Sequence, residues 1–323
     1  MLFTKRPLLL SLLVTVLALP RLQAADKDGT LRIGFIGRAG TDPVYQVALA
    51  GARRAAIDLA ATYETKIKIE DLTPAAGDPK DQVAAIEQLV HEGADGITLA
   101  CADTDLVAAA IDRAAQAGLQ IATFNSDAPN SKRFFSYLAD SEQCGQTLVV
   151  ELAKAMKGKG TIGILAGNTD SVPQKERIQG IQTGAKVYPG LVIKGIYTCK
   201  ETGPDSSSRL AEVMKANPDI TGWVLVGSWP LDAPHAFPWP AGAVKCVAVG
   251  ILPNQLDYLR TGYVQMVVAQ PFYDWGYHTV ELLVLRLSLN RKPATPIEYA
   301  AITAVTPDNV GDYAKRMTGW DLK

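Results

Sequence analysis

The sequence is poor in the residues from which metal sites and common catalytic sites are built. It has three histidines, His91, His235 and His278, far apart in the chain, and four cysteines, none of them in a C-x-x-C pair. It contains no G-x-S-x-G, H-E-x-x-H or G-x-x-x-x-G-K-[ST] motif, and "GFIGRAG" at 34–40 is not the G-x-G-x-x-G of dinucleotide-binding loops. We therefore expect no metal site, no cofactor and no enzymatic activity.

An excess of charge of either sign is also missing. The chain carries 32 basic and 33 acidic side chains, for a formal net charge of −1. Residues 1–24 contain three basic residues and no acid, so removing them leaves a net charge of −4. A mildly acidic surface does not attract a polyanion, and nucleic-acid binding is not expected.

A long apolar run occurs only near the N-terminus. Two basic residues at 5 and 6 precede an apolar stretch at 8–19, and small residues follow at Ala24 and Ala25. This pattern is typical of a secretory signal peptide, here residues 1–24, and the stretch is shorter than the roughly 20 residues of a membrane-spanning helix. We expect cleavage near Ala24 or Ala25 and a soluble protein exported to the periplasm. An uncleaved anchor is the alternative.

Short β-branched runs alternate with amphipathic stretches along the rest of the chain. In the first half, runs such as "LRIGFIG" (31–37) alternate with helical patterns at 43–63, 79–93 and 104–118. From residue 140 the alternation starts again, with strand-like segments such as "GTIGILAG" (160–167). Repeated units of this kind predict an α/β fold of two Rossmann-like, doubly wound parallel-sheet lobes. No flexible linker separates the halves, which favours a hinge made of several chain crossings.

The segment after the fourth predicted strand is unusually polar. The buried-strand pattern "LQIATF" (119–124) runs directly into Asn125, Ser126 and Asp127, and Pro129 follows. Ligands of open α/β sheets bind beyond the carboxyl ends of the strands. Since two such sheets facing each other form a cleft, we expect these three side chains to line it.

Export permits disulfide bonds, but the cysteine positions argue against them. Cys199 and Cys246 fall on the second and fourth strands of the second lobe, which are not neighbours in a doubly wound sheet. Cys101 and Cys144 belong to different lobes. We therefore expect four free thiols.

Five segments, in order and at the right spacing, resemble the periplasmic sugar-binding proteins of ABC transporters, of the ribose-binding type. They are "GTDPVYQVALAGARRAA" (40–56), "ATFNSDAPNSKR" (122–133), "QKERIQGI" (174–181), "VLVGSWPL" (224–231) and "VAVGILPNQLDYLRTGYVQMVVAQPFYDWGY" (247–277). The resemblance covers about residues 30–310 and implies three crossings between the lobes, with closure over a small ligand. It implies one lobe of residues 25–139 plus about 271–297, and a second of 140–270 plus about 298–323.

The resemblance also implies a ligand site. Sugars present hydroxyls and flat apolar faces, which planar polar groups and aromatic rings bind well. Matching the family's positions one by one gives ten candidates: Asp42, Tyr45, Asn125, Ser126, Asp127, Arg177, Ser228, Trp229, Gly250 and Gln270.

Several aromatic and polar candidates have a purely structural role as the alternative. Tyr45 could belong to the core, Trp229 to a lobe wall and Gln270 to the hinge, while Arg177 could form a surface ion pair with the preceding glutamate. Trp275 on the last long helix is expected to serve packing.

Three positions depart from the pattern of the relatives. Asn125 and Gly250 stand where relatives commonly carry aspartate, and Ser228 stands where they carry asparagine. Carboxylates bind hydroxyls with charge-assisted hydrogen bonds, which are roughly twice as strong as neutral ones. The absence of these carboxylates predicts an anionic or substituted sugar as the ligand. An anionic ligand would also suit the positive charge of Arg177. We predict that Gly250 leaves room for a ligand substituent; the alternative is a turn that requires a positive φ.

The resemblance implies a monomeric solute-binding protein that delivers a small polar ligand, a sugar or sugar derivative, to an ABC transporter permease. A sensory protein that presents the same ligand to a chemoreceptor or sensor kinase is the main alternative. An exported enzyme lacks a recognisable nucleophile and base. A transcription regulator core has the same fold, but here a signal peptide stands where a DNA-binding domain is expected.

Overall fold

The computed structural model describes residues 29–320, and its helices and strands follow the predicted alternation. The strands are β1 Thr30–Ile36, β2 Lys66–Asp71, β3 Gly96–Leu99, β4 Gln120–Phe124, β5 Phe135–Ala139, β6 Lys159–Ala166, β7 Gly190–Thr198, β8 Ile220–Leu225, β9 Lys245–Val249, β10 Met266–Ala269, β11 Ile297–Ala300 and β12 Thr303–Val305. The helices are α1 Pro43–Tyr63, α2 Pro79–His91, α3 Thr104–Gln116, α4 Ser141–Ala155, α5 Val172–Ala185, α6 Gly203–Ala216, α7 Leu256–Arg260, α8 Phe272–Leu289 and α9 Val310–Met317. The predicted signal peptide lies outside the described residues.

Two six-stranded sheets confirm the predicted α/β class. The first has the strand order β11-β5-β4-β3-β1-β2 and the second β12-β10-β9-β8-β6-β7. All strands of the first sheet run parallel, and in the second only β12 is antiparallel. Buried apolar side chains cover both faces of each sheet. This is the doubly wound arrangement, whose ligand crevice lies where the strand order reverses.

The chain passes between the sheets three times within the described residues. The crossings follow β5, β10 and β11. The third one lies later than the boundary we inferred near residue 297, because Ile297–Ala300 pairs in parallel with β5 of the first sheet. Only from Thr303 onward does the chain pair with β10 of the second sheet.

Close packing of α4 against α5 holds Arg177, the second lobe's main candidate for ligand binding, in place. A Cβ atom added at Gly145 would come within 2.1 Å of the Arg177 carbonyl oxygen, and one at Gly180 within 2.1 Å of the Glu142 carbonyl oxygen. Only glycine permits such an approach of two helix backbones. The helix that carries Arg177 is thereby fixed against the lobe core.

All four cysteines are free. Cys246 lies on β9 and Cys199 directly follows β7, and β6 and β8 separate these two strands. This strand order agrees with the reasoning from the sequence. Burial raises the thiol pKa of Cys101, Cys144 and Cys246, so these side chains stay protonated and unreactive at neutral pH.

Candidate functional site

A cavity lies between the two lobes, where the carboxyl ends of both sheets meet. It is lined by the loops after β1, β4, β6, β7, β8, β9 and β10 and by the first residues of α1, α5 and α8. Its volume is about 80 Å³. One ordered water molecule needs roughly 10–15 Å³ of cavity volume, so this cavity has room for several water molecules.

Nine of the ten predicted site residues line this cavity. They are Asp42, Tyr45, Asn125, Ser126, Arg177, Ser228, Trp229, Gly250 and Gln270. They come from both lobes and from one hinge crossing, so a ligand here would contact both halves of the protein at once.

Tyr45 and Asn125 lie next to each other on the first lobe's side of the cavity. Tyr45 is 1% exposed and packs in the core, yet its hydroxyl accepts a hydrogen bond from the Asn125 side-chain amide at 3.0 Å. Burial raises the pKa of Tyr45 to about 12, so this hydroxyl is neutral and can also donate. Asn125 has a φ of 59°, a left-handed conformation that asparagine tolerates better than most residues. Tyr45 is therefore both a core residue and a cavity residue.

Asp42 is the carboxylate of the first lobe at the cavity. It caps α1, where its side chain accepts a hydrogen bond from the Val44 backbone N–H at 3.1 Å. Burial raises its pKa, and that hydrogen bond acts in the opposite direction. Asp42 thus combines a local structural role with an acceptor at the cavity wall.

Arg177 is buried without a carboxylate partner among the described residues. It is 7% exposed, and its Nη1 donates to the Val226 carbonyl oxygen at 2.9 Å, while its Nε has no partner. Burial lowers the pKa of its guanidinium. A surface ion pair with Glu176, the alternative to a ligand role, is therefore not observed. An isolated buried charge is costly unless something else pairs with it.

Unpaired polar atoms are concentrated around this cavity. Among the described residues, seven buried side-chain nitrogen or oxygen atoms lack a hydrogen-bond partner, and four belong to lining residues: Arg177 Nε, Trp229 Nε1, Trp275 Nε1 and Gln270 Oε1. Buried polar groups are normally paired, and unpaired ones call for an explanation. Three donors and one acceptor in the walls of this cavity therefore lack a hydrogen-bond partner.

The structure favours the backbone explanation for Gly250. Its φ is +109°, and an added Cβ atom would lie 2.4 Å from the Ser228 Cβ atom. A side chain would therefore be strained by the backbone and would also collide with Ser228. Our prediction that glycine stands here only to leave room for a ligand substituent is not supported, although Gly250 does line the cavity.

Asp127 is the one predicted site residue that does not line the cavity. Both of its carboxylate oxygens accept hydrogen bonds from Arg133, and it also accepts from the Thr123 hydroxyl at 2.6 Å and the Ala128 backbone N–H at 2.8 Å. Burial would raise the pKa of Asp127, but the hydrogen bonds from Arg133 and Thr123 outweigh it and the pKa is lowered. We therefore correct its assignment: Asp127 stabilises the loop that presents Asn125.

Five further lining residues with polar side chains were not among our candidates, one of them Ser171 directly before α5. Arg38, Gln174 and Glu201 lie on loops or a helix start, and Trp275, which we assigned to packing, both packs in the core and lines the cavity. Gln174 directly precedes the "KER" of the E-R-x-x-G helix, which was a usable signal. Nothing local in the sequence marks Arg38 or Glu201.

Comparison with known proteins decides the family. Residues 33–291 match the family described as periplasmic binding protein domain. The chain belongs to this family. A curated relative is the D-apiose import binding protein of Actinobacillus succinogenes, which is 23% identical over 254 residues that cover 77% of this chain and 79% of the relative.

Solved structures share the same fold over nearly the whole chain. An ABC transporter solute-binding protein from Burkholderia graminis in complex with D-arabinose has a TM-score of 0.80 and 26% identity, covering 89% of this chain and 99% of the other. A carbohydrate transporter solute-binding protein from Agrobacterium radiobacter, also with D-arabinose, has a TM-score of 0.79 and 22% identity over 90% of this chain and 98% of the other.

The chain therefore has the two-lobe fold of sugar-binding ABC transporter proteins, and its relatives are binding proteins rather than enzymes. This confirms the predicted family and fold. Between residues 29 and 320, no helix is long and apolar enough to cross a membrane. In the same range, no three His, Cys, Asp or Glu side chains are grouped so that they could hold a metal ion.

Proposed function

We propose that this protein captures a small sugar or sugar derivative in the interlobe cavity and delivers it to an ABC transporter permease. The single observation that carries the proposal is a cavity lined by polar and aromatic side chains of both lobes, among them Arg177, which has no carboxylate partner in the described part of the chain. A ligand that pairs with them would bind only when the lobes are together. Binding then shifts the balance between open and closed lobes toward the closed state.

The chemistry of the lining suits a carbohydrate. Two indole rings, Trp229 and Trp275, provide flat apolar faces together with N–H donors, and Asn125 and Gln270 provide planar amides. Such a mixture matches the hydroxyls and apolar faces of a sugar ring. Because Arg177 lines the cavity and has no carboxylate partner within residues 29–320, a sugar acid or an acceptor-rich derivative is the variant that we favour.

The relatives support transport over sensing and suggest the first ligands to test. The Actinobacillus protein is named for D-apiose import, and the Burkholderia structure contains D-arabinose. We expect the protein to act in the periplasm after removal of residues 1–24. Mass spectrometry of the exported protein should show a mature start at residue 25 or 26.

Isothermal calorimetry and thermal shift test the ligand. We expect D-arabinose, D-apiose or one of their sugar acids to raise the melting temperature and to bind with a 1:1 stoichiometry. A ligand at a hundredfold excess over Kd adds about 2.7 kcal/mol to the free energy of unfolding. No response to pentoses, hexoses or their acids would contradict the proposal. Uptake of the ligand by cells with and without this protein then tests delivery to a permease.

A further inference from the structure

We propose that Glu201 is a positioning residue that ties the two lobes together at the solvent-exposed edge of the cavity. It does so through an ion pair with Arg38. The proposal uses the two-lobe cleft of the proposed function but does not depend on which ligand binds there.

The ion pair joins the two lobes directly. Arg38 lies in the loop between β1 and α1 of the first lobe, and Glu201 lies in the loop between β7 and α6 of the second. Arg38 Nη2 and Glu201 Oε2 are 2.9 Å apart, and both residues line the cavity. Among the ion pairs formed between described residues, this is the one whose partners belong to different sheets.

The second carboxylate oxygen of Glu201 organises its own lobe. Oε1 accepts hydrogen bonds from the Gln174 side-chain amide at 2.6 Å and from the Asn168 backbone N–H at 3.1 Å. Gln174 is 4% exposed, lines the cavity and accepts a hydrogen bond from the Gly167 backbone N–H at 2.8 Å. One carboxylate therefore links the cavity wall of the second lobe to a cation of the first.

Gly167 provides the space that this arrangement needs. A Cβ atom added there would lie 2.4 Å from the Glu201 Cγ atom and 2.6 Å from its Oε1 atom. Any larger residue would push the Glu201 side chain away from its present position. The glycine after β6 is thus explained by the placement of Glu201.

The exposure of the pair suits a contact that breaks and reforms. The side chains of Arg38 and Glu201 are 28% and 25% exposed, so water can solvate both when the lobes separate. Partly exposed ion pairs are weak. The pair therefore shifts the balance between open and closed states without locking the cleft.

Small-angle X-ray scattering of the ligand-free protein tests the proposal. We expect Glu201→Gln to lower the ratio of closed to open protein by up to about fivefold, seen as a larger radius of gyration. Glu87→Gln is the matched control, since Glu87 pairs with Arg113 at 2.7 Å within the first lobe, and it should leave the radius unchanged. In 1 M salt, where the Debye length is about 3 Å, the wild-type radius should move toward that of Glu201→Gln.

Two further variants separate this role from a folding defect. Arg38→Gln should expand the protein as Glu201→Gln does, and the double variant should expand it no further, because both changes remove one interaction. Gly167→Ala should also enlarge the radius of gyration, although Arg38 and Glu201 both keep their charges. Equal radii for the wild type and Glu201→Gln, or additive effects in the double variant, would overturn the proposal. Since scattering needs no ligand, failure to find a sugar would leave this test intact.

Discussion

Replacing Arg177 by methionine should separate ligand affinity from stability. Methionine keeps much of the apolar stem of arginine and removes the guanidinium. In the ligand-free protein, Nη1 donates to the Val226 carbonyl oxygen, and Nε has no partner. The variant therefore loses one internal hydrogen bond, and a buried charge that no carboxylate balances is removed.

The two effects on stability oppose each other. An unsatisfied Val226 carbonyl costs about 1–3 kcal/mol. Burying a charged group costs several kcal/mol, and that cost disappears with the guanidinium. We therefore expect the ligand-free variant to be as stable as the wild type or more stable. Urea unfolding monitored by circular dichroism measures this.

Removing the guanidinium can only weaken ligand binding. The remaining Nη hydrogens of the guanidinium can donate at least two charge-assisted hydrogen bonds to a ligand, each with a net value of about 1.5 kcal/mol. Their loss corresponds to a roughly hundredfold weaker Kd, since 1.4 kcal/mol is a factor of ten. Arg177→Lys keeps the charge but not the planar guanidinium, so its Kd should lie between those of the wild type and Arg177→Met. Unchanged affinity of Arg177→Met in calorimetry would refute the assignment of Arg177 to the ligand.

Three other predictions follow from the contacts described above. Gly250→Ala should lower the free energy of unfolding, measured in a urea titration, by about 2–4 kcal/mol, because alanine disfavours the positive φ and its Cβ atom would collide with Ser228. Gly262→Ala is the control: Gly262 has a φ of +79° but open space around it, so the loss should be only about 1 kcal/mol. Equal losses for the two variants would show that the clash is absent. Asp127→Asn should cost about 3 kcal/mol, because it leaves Arg133 buried without its partner, and should not change ligand affinity. Since the folded-state pKa of Asp127 is lowered, its contribution is present above about pH 4 and is lost as the pH falls through the lowered pKa, so stability of the wild type should fall more steeply with acid than that of the variant. Alkylation of denatured, unreduced protein should label four thiols; two or none would indicate disulfides.

How far the candidate site could be predicted depends on the range of the interactions involved. Asn125 and Ser126 follow a strand with an obvious buried pattern, so their place at a carboxyl end could be read from the sequence alone. Asp127 is one residue further on, and its carboxylate is bound by Arg133. That pairing depends on how the loop closes on itself, which residue type and spacing do not determine.

Gly250 shows the same limit for a single residue. A glycine after a strand is compatible with a positive φ, with a close approach of another chain segment or with room for a ligand. Only the backbone angle of +109° and the distance to Ser228 distinguish these explanations. The sequence shows a glycine at this position but not the structural reason for it.

The sequence by itself determined the alternation of strands and helices, because hydrophobic periodicity and helix capping act within a few residues. It also determined which loops reach the cleft, because the carboxyl ends of parallel strands share one edge of a sheet. Tertiary structure decided which side chains meet across that cleft. Arg38 and Glu201 are 163 residues apart and approach to 2.9 Å only because the two lobes face each other. A contact of that range depends on the packing of whole lobes, and no local pattern records it.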